Sequence, residues 1–253
     1  MANSRIRLIT RADDAGSCQS ANLAIATTCH FGAIRNVSFM APGPAIEQAA
    51  TVFKKIRRIN CGFHVVLNAE WDDVKWGPVL PPEMVPSLVD ENGHFFPTPN
   101  ILRERGFSVE EAMAEIEAQL GRLRDLGLTI DYVDEHMGIS WIGLREEIAN
   151  LCAREGVIDA HGFNGLPRLM ESSGDLRQDF LARLRAAPDG TYVFVTHPGL
   201  DAPDMRAMGH AGLEPGQVAR ERAAETALLV EPTLKDELRH LDVEVVRYAA
   251  AGV

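Results

Sequence analysis

The sequence predicts an α/β protein that folds as a single, irregular TIM-like (β/α) barrel of about seven strands. Strand and helix patterns alternate along the whole of residues 1–253, with no internal repeat and no low-complexity linker. No Gly-x-Gly-x-x-Gly turn follows a strand, which argues against a dinucleotide-binding sheet. Long irregular segments follow two of the strands, and barrels of this kind keep their chemistry in such loops.

Short apolar runs rich in β-branched residues predict the strands. These runs lie at residues 6–12, 34–41, 59–67, 130–137, 157–162, 191–196 and 243–248. Helical patterns separate them, at residues 21–31, 43–58, 108–127, 141–155, 176–187, 217–229 and 232–241. One long excursion, residues 68–106, is rich in Pro, Gly, Trp and Asp and is predicted to be irregular.

The helix after this excursion has the clearest signals. Ser108 and Glu111 match a capping box, and Gly127 stands where a helix would end. Four residues at helical spacing form an apolar face: Ala112, Ile116, Leu120 and Leu123.

Charge and composition exclude several kinds of partner. With 25 Lys and Arg against 36 Asp and Glu, the net charge is −11, so nucleic acid and anionic membrane surfaces are not expected partners. No stretch is apolar and long enough to span a bilayer, and the N-terminus lacks a signal-peptide pattern. The four cysteines are widely spaced, which argues against a thiolate zinc site. We therefore expect a cytoplasmic protein, with a homodimer as one option for its assembly.

Polar residues stand at the carboxyl ends of several predicted strands. Asp13 and Asp14 follow the first strand, while His64, His136 and His197 lie at the third, fourth and sixth. All strand ends of a parallel barrel face the same mouth, so these residues can converge. Two imidazoles and one carboxylate make a divalent-metal site, and the second carboxylate would be free to accept a proton.

Each of these residues also has a simpler interpretation. An Asp pair after a strand is often a solvated turn, and a single strand histidine is more often a packed residue than a ligand. The coincidence of all three histidines with the Asp pair favours the catalytic interpretation. No catalytic role is predicted for the other five histidines, which are His30, His94, His161, His210 and His240.

Five segments, in order along nearly the whole chain, resemble the YdjC-like carbohydrate deacetylases, which include chitooligosaccharide (diacetylchitobiose) deacetylases. The first two are Ala-Asp-Asp-Ala-Gly at 12–16 and Gly-Phe-His-Val-Val-Leu-Asn at 62–68. The others are the strand at 131–136, Thr-His-Pro-Gly at 196–199, and Arg222 with Glu225.

The resemblance implies a distorted TIM-like barrel that removes an N-acetyl group from an amino sugar or short N-acetylated oligosaccharide. It implies one divalent metal ion, Mg²⁺ or Zn²⁺, held by Asp14, His64 and His136. Asp13 would be the general base, and His197 the general acid.

Two features depart from the family pattern. The family commonly has a histidine two residues after the second ligand, where this chain has Gly138, which bears on substrate contacts. The excursion carries Trp71 and Trp76, which are predicted either to stack on a sugar or to pack the loop onto the barrel.

Two other functions remain open from the sequence. A non-catalytic sugar-binding or regulatory protein could keep the same metal pocket. Another metal-dependent barrel enzyme, such as a sugar isomerase or aldolase, could share the fold, although no Lys stands at a strand end.

Overall fold

The computed structural model describes residues 4–251. Its strand β1 (Ile6–Ala15) lies within a parallel sheet that curls into an open barrel. The sheet order is β5-β4-β3-β2-β1-β6, and β7 also pairs with β1. The other strands are β2 (Asn36–Phe39), β3 (Asn60–Val65), β4 (Ile130–Glu135), β5 (Ile158–Asp159), β6 (Gly190–Thr196) and β7 (Val243–Val246). This architecture confirms the predicted irregular barrel.

The first strand is paired along both of its edges. One edge pairs with β6 from Ile6 to Ala12, while the other pairs first with β7 and then with β2. The buried side chain of Asn36 bridges the change of partner, because its Nδ2 donates to Val246 O (3.2 Å) and its Oδ1 accepts from Tyr248 N (2.9 Å). The carboxyl end of β1 is therefore held in a fixed position.

The barrel has a seam between β5 and β6, where no regular strand closes it. The segment after β5 covers this seam, since Val193 N donates to Asn164 O (2.8 Å) and Leu166 N donates to Val193 O (3.1 Å). The predicted strand 157–162 was too long. Only Ile158 and Asp159 pair with β4, because Asp159 caps a 3₁₀ turn that leads the chain out of the sheet.

The described helices surround the sheet. They are α1 (Gln19–His30), α2 (Ile46–Phe53), α3 (Pro99–Arg105), α4 (Val109–Asp125), α5 (Arg145–Glu155), α6 (Leu176–Ala186), α7 (Pro203–Arg206), α8 (Gln217–Val230), α9 (Leu234–His240) and α10 (Tyr248–Ala251). Among residues 4–251, no helix has the length and apolar character that crossing a membrane requires.

Three helix predictions need correction, and the short helices α7 and α10 were also not predicted. The predicted helix 43–58 is only Ile46–Phe53. The predicted helix 141–155 begins at Arg145, because the preceding residues form a 3₁₀ segment. The excursion contains the unpredicted helix α3, which Thr98 caps through its side chain (3.3 Å from Ile101 N).

The capping box of α4 forms only in part. Ser108 Oγ accepts from Glu111 N (3.2 Å), as predicted. The Glu111 carboxylate does not reach back to Ser108 but accepts from both the backbone N–H (2.8 Å) and the hydroxyl (2.7 Å) of Ser87. The start of α4 therefore fastens the excursion to the barrel.

Two polar side chains on the buried face of α4 hold more of the excursion. Glu115 accepts hydrogen bonds from Val79 N (2.8 Å) and Leu80 N (2.9 Å). Gln119 donates to Val66 O (2.6 Å) and accepts from Val66 N (3.2 Å). Both are fully buried, and burial raises the pKa of Glu115. The helix thereby fixes the segment that follows β3.

We expect Glu115→Gln to lower the free energy of unfolding by about 1.5 to 3 kcal/mol, because an amide N–H would face a backbone N–H donor where a carboxylate oxygen now accepts. Urea denaturation followed by circular dichroism measures the change. Glu117→Gln on the same helix is the control: its partner Arg154 is exposed, so a change within about 0.5 kcal/mol is expected. Equal effects in the two variants would contradict the anchoring role.

Candidate active site

The five side chains predicted to carry the chemistry meet in one cavity at the carboxyl ends of the strands. This main cavity has a volume of about 580 Å³ and is lined by all five of them: Asp13, Asp14, His64, His136 and His197. Its wall also includes Glu70, Trp71, Asp72, Glu135, His210 and Arg222. The predicted convergence of scattered strand-end residues is therefore present in the structure.

Asp13 and Asp14 both face this cavity although they are consecutive. Successive strand residues normally point to opposite faces of a sheet. Here the pairing of β1 with β2 shifts register between Ala12 and Ala15, and Asp14 has a φ of +65°. Aspartate tolerates this left-handed conformation better than most residues do. The irregularity therefore turns both carboxylates the same way.

Close packing of two glycines fixes the turn that follows. Gly16 has a φ of +102°, and a Cβ at Gly43 would stand 2.4 Å from Gly16 O. Ala45 N also donates to Gly16 O (2.8 Å). Residues 43–45 therefore pack against the turn that follows β1, which explains why α2 does not start at residue 43.

Asp14, His64 and His136 face one another. Asp14 Oδ1 lies 3.5 Å from His64 Nε2 and 3.3 Å from His136 Nδ1. One ligand atom from each of the three residues lies within 4.8 Å of the others, and all three side chains are buried. Two imidazoles and one carboxylate form a group that could hold a divalent metal ion.

The central carboxylate oxygen tests whether a cation fits this group. Asp14 Oδ1 is buried and has no hydrogen-bond partner among residues 4–251. Two ligand atoms that share an ion at about 2.1 Å stand roughly 3.0 to 3.4 Å apart, close to both separations around this oxygen. The donor set and its spacing therefore fit a divalent cation.

Each imidazole is held from behind by another carboxylate. His64 Nδ1 lies 3.1 Å from Asp134 Oδ1, and His136 Nε2 lies 2.9 Å from Glu70 Oε2. A carboxylate that accepts a ring N–H hydrogen bond fixes the tautomer and orientation of a ligand histidine. In that tautomer each ring turns its other nitrogen, with a free lone pair, towards Asp14.

The carboxylates around both rings create a strong demand for positive charge. Burial alone would lower the pKa of His64, but Asp134, Asp13 and Asp14 raise this pKa to about 10. Burial also opposes a charge on His136, whereas Glu70 and Asp14 raise its pKa to about 9. The same carboxylates would stabilise a cation bound at this place.

Arg222 on α8 pairs with the other oxygen of Asp14. Its Nη2 lies 2.6 Å from Asp14 Oδ2. Burial alone would raise the pKa of Asp14, but Arg222, His136 and His64 hold it well below its ordinary value. Asp14 therefore stays ionised.

Arg11 holds Asp13 with two parallel hydrogen bonds. Its Nε and Nη2 each donate to a different oxygen of Asp13, at 2.7 Å. Nε also lies 2.9 Å from Asp134 Oδ2, and Nη1 donates to the Tyr248 hydroxyl (3.3 Å). Burial alone would lower the pKa of Arg11, but Asp13 and Asp134 raise it well above its ordinary value. This bidentate pairing fixes the orientation of the Asp13 carboxylate.

The charges of this cluster do not balance by themselves. Four carboxylates belong to it: those of Asp13, Asp14, Glu70 and Asp134. Arg11 and Arg222 neutralise two of them, so two negative charges remain when the imidazoles are neutral. Buried charge that lacks a partner is costly, and a divalent cation supplies the charge that is needed.

His197 is fixed through its backbone while its ring stays free. The His197 N–H donates to the carboxylate of Glu225 on α8. The ring is half-buried, lines the main cavity and makes no hydrogen bond to any residue from 4 to 251. It is therefore available to a substrate.

The two tryptophans of the excursion have different environments. Trp76 Nε1 donates to Asn68 O (2.7 Å), and its ring centroid lies 6.2 Å from that of His136, at an interplanar angle of 67°. Trp76 therefore packs the loop behind the histidine. Trp71 lines the main cavity.

The position of the absent family histidine is open. Gly138 has a φ of +64°, and a Cβ there would meet no atom within 4 Å. It borders a second, smaller cavity of about 300 Å³, which shares the Glu135 wall with the main cavity. Among the five histidines without a predicted role, His210 lines the main cavity and His161 the smaller one.

Four charged residues of the cluster were not predicted, and one of them, Asp134, stands two residues before His136 on β4. Arg11 stands two residues before Asp13 on the same strand, so period-two alternation could have indicated its contact. For Arg222, the only signal in the sequence was the resemblance of its segment to the family. Glu70 lies in an irregular segment, and no sequence pattern pointed to it.

Comparisons with known proteins agree on one family. The family model described as YdjC-like protein matches residues 7–240. A carbohydrate deacetylase from Geobacillus stearothermophilus is 26% identical over 258 aligned positions, covering 95% of this chain and 96% of that protein. A carbohydrate deacetylase from Thermoanaerobacter pseudethanolicus is 31% identical over 51% of this chain, and this match spans 49% of that relative's length.

A solved structure shares the fold. The crystal structure of a candidate cellobiose-phosphate cleavage protein from Enterococcus faecalis V583 has a TM-score of 0.78. The match covers 100% of both chains at 19% sequence identity, so the similarity concerns the fold alone. Because the family model covers nearly the whole sequence, the chain belongs to the YdjC-like protein family.

Proposed function

We propose that this protein is a metal-dependent carbohydrate deacetylase, which hydrolyses the N-acetyl group of an amino sugar or a short N-acetylated oligosaccharide. One observation carries the proposal: a buried Asp14, His64 and His136 group adjoins Asp13, whose carboxylate Arg11 holds separately. The names of the relatives, carbohydrate deacetylase and chitooligosaccharide deacetylase, support the substrate class.

Asp14, His64 and His136 would hold the ion. When bound, a divalent ion such as Zn²⁺ or Mg²⁺ supplies Lewis-acid activation of the acetyl carbonyl and of a water molecule. Glu70 and Asp134 orient the two imidazoles, and Arg222 keeps Asp14 ionised.

Asp13 is the general base of the proposed reaction. It accepts a proton as water adds to the acetyl carbon, and Arg11 keeps the carboxylate aimed while it does so. Each oxygen of Asp13 retains a second lone pair for this proton, since Arg11 occupies only one on each.

His197 is the general acid. An amine is a poor leaving group unless its nitrogen is protonated, and the unengaged ring of His197 lines the same cavity. It donates a proton to the nitrogen as the carbon–nitrogen bond breaks. The products are acetate and the free amino sugar, so one water is consumed for each amide hydrolysed.

The charge of the main cavity supports an uncharged substrate. Its wall contains five carboxylates: Asp13, Asp14, Glu70, Asp72 and Glu135. Among the described lining residues, the one Lys or Arg side chain is Arg222, which Asp14 already engages. A neutral acetamido sugar needs no further cationic side chain from this wall, whereas a phosphorylated sugar would.

We expect Asp13→Asn to reduce kcat for acetate release by about 100- to 10,000-fold, because the proton acceptor is lost. Metal content should stay unchanged, because Asp13 is not one of the proposed ligands. A coupled acetate assay on N-acetylglucosamine and diacetylchitobiose measures the rate, and elemental analysis measures the metal. Asp73→Asn, at an exposed neighbour of the cavity, is the control and should keep full activity.

Full activity of Asp13→Asn would remove Asp13 from the mechanism. The open space at Gly138 motivates the non-catalytic sugar-binding alternative. This alternative would be favoured if the wild type bound metal and saccharide but released no acetate from any substrate.

We expect His197→Gln to slow acetate release from an acetamido sugar by about 100-fold or more, since general acids typically contribute that much. The same variant should hydrolyse 4-nitrophenyl acetate at nearly the wild-type rate, because nitrophenolate leaves without protonation. Rates of wild type and variant measured on both substrates give the loss of activity on each. Equal losses on both would show that His197 does not act as the acid.

We expect His64→Ala and His136→Ala to lose the bound ion. Glu70→Gln should weaken metal affinity by roughly 10- to 100-fold, as loss of a carboxylate behind a ligand histidine does. Competition with a fluorescent chelator measures these affinities, and His94→Ala, in a turn outside the main cavity, is the control. Wild-type affinity in both alanine variants would contradict the proposed ligand set.

A further inference from the structure

We propose that Trp71 and His210 form an aromatic wall of the main cavity on which the apolar face of a sugar ring stacks. The inference rests on the proposed function, because it takes the ligand of this cavity to be an amino sugar. It assigns a binding role to one tryptophan of the excursion and to a histidine for which no catalytic role was predicted.

Trp71 packs into the apolar core and also reaches the main cavity. The residue is 9% exposed, belongs to the buried apolar cluster and lines the main cavity. Its indole N–H makes no hydrogen bond within residues 4–251, whereas that of Trp76 is bound to Asn68 O at 2.7 Å. A buried indole usually finds a partner for its N–H, so Trp71 retains a donor for a ligand.

The ring of His210 stacks with that of Trp71, and both residues line the main cavity. The two rings lie almost parallel, with an interplanar angle of 11° and a centroid separation of 6.3 Å. The Nδ1 of His210 accepts a hydrogen bond from Gly212 N (3.1 Å). In the neutral ring the hydrogen is therefore on Nε2, which remains free to donate to a sugar hydroxyl.

Backbone bonds between two separate loops preorganise this wall. Asp72 N donates to Gly209 O (2.8 Å), and Ala211 N donates to Asp72 Oδ2 (2.9 Å). The residue before Trp71 is Glu70, which contacts His136 at 2.9 Å. The chain therefore fixes the indole beside the proposed metal ligands, where the ring that bears an acetamido group would lie.

The chemistry of a pyranose matches such a surface. One face of the ring presents C–H groups and its edge presents hydroxyls, so an aromatic plane with polar groups around it meets both. Trp141 offers a comparison within the same chain. It is 49% exposed, Arg103 covers its ring, and it does not line the main cavity.

Tryptophan fluorescence tests the inference directly, since the chain has three tryptophans. N-acetylglucosamine and diacetylchitobiose are titrated into the metal-loaded Asp13→Asn protein, in which hydrolysis is slow. We expect a saccharide-dependent change in emission that persists in Trp141→Phe and disappears in Trp71→Phe. Calorimetry should show about five- to tenfold weaker binding in Trp71→Ala, the scale of one aromatic contact.

The same substitutions are also made in the otherwise wild-type chain, and acetate release is measured. This measurement separates a failure of the sugar-binding inference from a failure of the proposed deacetylation. KM should rise in Trp71→Ala, with a smaller change in kcat, and Trp71→Phe should recover most of the loss. The inference would be overturned if Trp71→Phe and Trp71→Ala had the same saccharide affinity and KM as Trp141→Phe, even with a fully active enzyme. A Trp71-dependent fluorescence change without acetate release from any variant would instead overturn the proposed deacetylation and leave the sugar-binding wall standing.

Discussion

The structure depends on burying two consecutive carboxylates at the end of one strand. The register shift and the left-handed Asp14 bring both into one cavity, where neither could remain charged without compensation. The chain compensates them separately, with Arg11 for Asp13 and Arg222 for Asp14. This separation gives two neighbouring aspartates different environments, and the proposed difference between a base and a ligand follows from it.

The remaining groups are placed by elements that have little regular structure of their own. The excursion after β3 supplies Glu70 and Trp71, and α4 holds its middle and the residue Val66 just before it through buried hydrogen bonds. On the other side, α8 supplies Arg222 and fixes the backbone of His197 through Glu225. The site is thus assembled between a rigid strand end and loops that two helices keep in position.

Much of this could be predicted from the sequence, for identifiable reasons. The barrel and the meeting of Asp13, Asp14, His64, His136 and His197 follow from alternation and from parallel strand ends. Glu70 could not be predicted, because its position depends on the path of an irregular segment. The short β5 was missed since its apolar residues continue past the point where Asp159 turns the chain, and α2 was overextended because close packing at Gly43 is not visible in periodicity.

The seam between β5 and β6 has a consequence for how such a chain can diverge. It is closed by a two-residue strand and a short irregular segment, and none of the proposed ligands or proton-transfer groups lies on either. Insertions and deletions there would alter the outer wall of the smaller cavity, at residues such as Ala160 and Gly165. The strand ends that carry Asp14, His64 and His136 lie outside this gap, so a change in its length need not move them.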